Sequence, residues 1–72
     1  MTMKLLNLVV TLDKSGLKDY YEPTFPSFSI RRGQKVQFDD DKNELIVKLP
    51  TGQTRKVRMS KSEMEGFTEY IF

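Results

Sequence analysis

Seventy-two residues without a cysteine or a histidine leave room for one domain, spanning residues 1–72, that must hold itself together by burial alone. A chain this short buries only about 60% of its extended surface and has no disulfide to add. The same two absences exclude a thiolate zinc site, a catalytic thiol and an imidazole base, and twelve basic residues against ten acidic ones give a net charge of +2, too small to select a partner by total charge.

In chain order, Lys4 to Leu12 predicts the first strand, with Leu6, Leu8, Val10 and Leu12 alternating against Leu5, Asn7, Val9 and Thr11. Apolar residues on both faces suit a strand covered on one side and partly covered on the other, and a short buried helix has a similar signature. The run Leu5 to Val10 follows a single Lys, is broken by Asn7 and carries no small-residue cleavage site. It therefore reads neither as a signal peptide nor as a membrane span, and a cytoplasmic location with no membrane partner is expected.

Asp13-Lys14-Ser15-Gly16 ends the strand, and residues 13–27 read as a long connection in which Pro23 and Pro26 deny a helix interior or a central strand. Pro23-Thr24-Phe25-Pro26 has the spacing of a ligand for proline-binding domains, although two prolines in a long loop also serve simply as stiffeners. Tyr20, Tyr21 and Phe25 offer either a partner surface or a satellite cluster folded over the core.

The stretch from Phe28 to Met59 predicts a three-stranded antiparallel meander. Val36 and Phe38 share the inner face of the strand at 35–38; Leu45, Val47 and Leu49 share that of 44–49, with Glu44, Ile46 and Lys48 outward; Val57 and Met59 share that of 53–59. Asp39 to Asn43 forms the first turn and Pro50-Thr51-Gly52-Gln53 the second. Asp39, Asp41 and Asn43 also imitate the opening of an EF-hand loop, but Glu44 stands where that loop needs Gly and Pro50 where it needs Glu, so a solvated turn is expected and no metal site.

Ser60-Lys61-Ser62-Glu63 has the form of a capping box and predicts one helical turn, with Gly66 ending it in the left-handed conformation and residues 67–72 forming a last strand. The expected core is Leu6, Leu8, Val10, Phe28, Ile30, Val36, Phe38, Leu45, Val47, Leu49, Val57 and Met59.

Five strands, a long loop after the first and a single helical turn before the last resemble the SH3-like small β-barrel, an all-β fold. The likeness is most visible at Phe28-Ser29-Ile30-Arg31-Arg32-Gly33-Gln34-Lys35-Val36-Gln37-Phe38, which is similar to that family's diverging turn. The resemblance implies a long first loop at 13–30, a distal hairpin at 50–53 and the one-turn helix at 60–66. Such barrels bind proline-rich peptides, other proteins, RNA or DNA, so the fold leaves function open. The peptide-binding members use a groove Trp that this chain lacks, which sets polyproline recognition aside.

Charge is segregated by segment: Arg31, Arg32 and Lys35 cluster, Asp39 to Glu44 form an acidic stretch, and Lys48, Arg55, Lys56, Arg58 and Lys61 follow with no intervening acid. The strand parities place Lys35, Gln37, Ile46, Lys48, Lys56 and Arg58 on one outward face. Four cations around a β-branched side chain suit a phosphate backbone, so Lys35, Ile46, Lys48, Lys56 and Arg58 are the candidate nucleic-acid-binding residues, an ordinary solvated sheet face being the simpler reading. No residue pairing suits general acid-base or nucleophilic work, so a non-enzymatic binding module without a cofactor is expected. Its partner is nucleic acid or, in the second reading, a protein, the chain then acting as an adaptor or a small regulatory or inhibitor protein.

Overall fold

The computed structural model describes residues 4–71, and in it period-two alternation and turn chemistry produce a five-stranded antiparallel sheet, a two-stranded ribbon and one short helix. The elements are β1 (Leu5–Val10), β2 (Lys14–Leu17), β3 (Phe28–Ile30), β4 (Lys35–Asp39), β5 (Glu44–Lys48), β6 (Thr54–Arg58), α1 (Lys61–Glu65) and β7 (Thr68–Tyr70). The sheet runs β6-β5-β4-β1-β7, so the expected meander occupies one side and β1 lies between it and the last strand. The sheet is open, with β6 and β7 as its edges, while β2 and β3 pair apart from it. No helix among the described residues is long and apolar enough to cross a membrane.

Register follows the hydrophobic pattern. Leu6, Phe38, Leu45 and Val57 stand side by side across four strands, and the neighbouring row of Asn7, Gln37, Ile46 and Lys56 therefore lies on the opposite face. Leu8, Val10, Val36, Phe38, Leu45, Val47 and Val57 are buried on the inner face, and Ile30 from the ribbon, Met64 from α1 and Phe67 complete the core. The remaining expected core residues, Leu6, Phe28, Leu49 and Met59, are partly buried against it.

The structure departs from the sequence reading in the open sheet, where a closed barrel is expected, and at several places along the chain. β1 stops at Val10 rather than Leu12: the Val10 N–H donates to Gln34 O at 2.9 Å and its carbonyl accepts from the Gly33 N–H at 2.8 Å, in the turn before β4, and Leu12 is exposed. The connection at 13–27 begins with β2. Lys14 faces Ile30 and Leu17 faces Phe28, so β2 carries one extra residue, a bulge at which Gly16 takes φ +71°. That bulge breaks the alternation by which a strand is recognised.

At the helix, Ser60 Oγ accepts from the Glu63 N–H at 3.1 Å as the capping box requires. Gly66, however, is right-handed (φ −68°, ψ −18°) rather than left-handed. Its N–H donates to Glu63 O at 3.1 Å, and a Cβ there would lie 3.2 Å from that same oxygen, so a side chain would require the turn to give slightly. The last strand is shorter than 67–72: Phe67 turns into the core, β7 is three residues long, and Phe72 lies outside the described residues.

Candidate nucleic-acid interface

The outer face of the sheet gathers the cations that the sequence distributes over three strands. Ile46 pairs with Lys56 across β5 and β6 and with Gln37 across β4 and β5, Glu44 faces Arg58, and Lys48 faces Thr54. Because pairing partners share a face, Lys35, Ile46, Lys48, Lys56 and Arg58 occupy one surface. Lys35, Lys48 and Arg58 are exposed and Lys56 is half-buried. Ile46 is half-buried too, the floor of a groove of about 550 Å³ lined also by Asn7, Lys35, Gln37, Lys48 and Ile71, rather than an exposed knob.

The connection between β2 and β3 crosses the β6 edge and is latched there by Asp19. Lys56 presents its backbone to the open side of β6: its carbonyl accepts from the Tyr20 N–H at 2.8 Å and its N–H donates to Asp19 Oδ2 at 3.4 Å. Asp19 Oδ1 accepts from the Tyr21 and Glu22 N–H groups at 2.7 and 3.0 Å, a local turn of the kind aspartate favours. The buried guanidinium of Arg55 then donates to Asp19 at 3.4 Å and to Glu22 at 2.6 Å and stacks on the Phe25 ring at 3.6 Å. An edge strand that would otherwise offer free N–H and C=O groups is covered at Lys56.

Burial would raise the Asp19 carboxyl, but hydrogen bonds from the Glu22, Tyr21 and Lys56 backbones and the Arg55 charge outweigh it and hold the group below its ordinary 3.8.

Once latched, the loop sets its tyrosines against the basic face. The Arg58 guanidinium lies 5.2 Å from the Tyr20 ring centroid and the Lys56 ammonium 6.0 Å from that of Tyr21, within cation–π range. The two rings meet edge to face at 5.2 Å and remain about half exposed. Phe25 differs from them: half-buried beneath Arg55, it belongs to the latch rather than to a free partner surface.

Glu44 stands outward as expected, yet it is shielded from solvent. It is only 1% exposed, because the Tyr21 hydroxyl donates to its Oε2 and covers it. That bond to the carboxylate, helped by partial burial, raises the Tyr21 phenol above its ordinary 10.0. In the acidic turn Asp41, Lys42 and Asn43 are exposed, as expected of a solvated turn, while Asp39 is buried and its Oδ1 accepts from the Asp41 and Lys42 N–H groups at 3.0 and 3.1 Å.

Sequence reasoning missed Asp19, Glu22 and the inward aim of Arg55. One signal was present. Arg55 shares the parity of Val57 and stands opposite Val47, so a strand that points Val57 to the core points Arg55 there too, and a buried cation needs an acid. Which acid could not be read, because Asp19 lies 36 positions away. Neither family models, curated proteins nor solved structures match the chain.

Proposed function

We propose that this chain is a small non-enzymatic nucleic-acid-binding module of SH3-like build that engages phosphates through Lys35, Lys48, Lys56 and Arg58. The observation that carries the reading is the placement of Tyr20 and Tyr21 against Arg58 and Lys56, which makes one continuous surface of cations and half-exposed aromatic rings. Aromatic rings interleaved with basic side chains are what a nucleic acid engages, the former through its bases and the latter through its phosphates. The acids of the meander on this face, Glu44 and Asp39, are buried and bonded to Tyr21 and to backbone N–H groups, while the exposed Glu69 of β7 stands two strands from Lys35. The SH3-like part of the reading is supported by the strand order, with the first strand between the meander and the last strand, and by the helical turn before β7.

Fluorescence anisotropy with labelled oligonucleotides over a salt series tests this function. Neutralising Lys48, Lys56 and Arg58 together should weaken binding several-fold and flatten the salt dependence, the logarithmic slope falling by roughly 0.7 to 0.9 for each phosphate that no longer meets a cation. Absence of binding at low salt, where non-specific attraction to phosphate is strongest, would discard the proposal in favour of a protein partner.

A further inference from the structure

The outer face is polar along its strands. Lys35 and Lys48 are exposed at one end beside Thr54, and the buried carboxylates of Glu44 and its cross-strand neighbour Asp39 occupy the other. At the carboxylate end Arg58 pairs with Glu44, whereas at the lysine end a phosphate meets two exposed ammonium groups with no carboxylate paired to either across the meander strands. Between the two lies the groove of about 550 Å³ floored by Ile46, inside the range of about 300 to 1,000 Å³ typical of ligand sites.

At the side of this groove the Gln37 Nε2 donates to Asn7 Oδ1 at 3.0 Å. That bond uses one of the two Gln37 amide hydrogens and leaves Gln37 Oε1 as an acceptor and Asn7 Nδ2 as a donor. An adjacent donor and acceptor complement the Watson–Crick edge of a base, which is open to a protein only where the base is unpaired.

We infer that the groove seats one unpaired nucleotide of a single strand, with the base on Ile46, its edge on the Gln37–Asn7 amide pair and its phosphate between Lys35 and Lys48. The inference rests on the nucleic-acid function proposed above and adds to it the strand form and a base-reading contact. Tyr21, beyond Ile46 on the Lys56 side, stands where the next base along the strand would stack.

The test compares labelled homopolymeric single strands of each base with a duplex of equal length, at low salt, by anisotropy. Single strands should bind about five-fold or more tighter than the duplex, the low end of what one stacked base contributes, and the four homopolymers should differ several-fold. Gln37→Ala combined with Asn7→Ala should erase the difference among homopolymers and leave the salt slope unchanged. Should that pair of substitutions lower the melting temperature enough to disturb the fold, Gln37→Glu keeps the side-chain length, replaces the amide by a carboxylate, and should reorder the homopolymers instead. Equal affinity for duplex and single strands, or an unaltered base ranking in the variants, overturns the groove assignment while the basic face still stands. No binding to any oligonucleotide overturns both.

Discussion

Asp19 joins its loop to β6 through one side chain: it closes its own turn, caps the open edge of β6 at Lys56 and neutralises Arg55. Its carboxyl is held below 3.8 in the folded chain, so the sign of the pH effect follows directly. A depressed carboxyl adds stability above its unfolded value and loses it as pH falls through the folded one. The latch should therefore loosen on acidification below pH 3.8, seen as a shift of the Tyr20 amide resonance before the core resonances move. Asp19→Asn should abolish that early step, and an unchanged acid transition in this variant would assign the latch to another group.

At the scale of the element, α1 is too short to persist by helix propensity, because nucleation is costly and five residues recover few internal bonds. Its persistence comes from the Ser60 cap, from Met64 in the core and from the Thr68 hydroxyl, which donates to Met64 O at 2.8 Å. Ser60→Ala should lower stability by about 1 kcal/mol in denaturant melts, whereas Ser62→Ala, which removes no cap, should change it little. Equal losses at the two serines would count against the capping arrangement. The ribbon is an element of another kind: among the described residues β2 and β3 pair only with each other, their buried contribution to the core is Ile30, and between them runs the loop that crosses β6.

At the scale of the whole molecule, the candidate surface exists because the loop is anchored. Asp19→Ala removes a negative charge, and electrostatics alone would raise affinity for a polyanion. If the aromatic rings take part in binding, affinity should fall instead, because the loop that aligns Tyr20 and Tyr21 with Arg58 and Lys56 loses its latch. The anisotropy titration used for the basic face reads this sign directly, and a rise in affinity would confine binding to the lysines and arginine of the sheet.

What the sequence determined by itself is the sheet and its two faces. Side chains alternate at a period of two, so Leu45 and Val47 inward require Ile46 and Lys48 outward without reference to the rest of the chain, and the turns between the meander strands are signalled by residues within a few positions of one another. The cap at Ser60 was legible for the same reason, since its partner lies three residues away. Tertiary structure alone decided the latch, the bulged ribbon and the groove. Asp19 and Arg55 are 36 positions apart and meet only through the folded path of the loop, and the bulge at Gly16 erases the alternation that marks a strand. Gln37 and Asn7, 30 positions apart, become neighbours only because β1 pairs with β4. Local periodicity decides which way a side chain points, but which distant side chain it meets depends on strand order, and that is settled by the burial of the whole core at once.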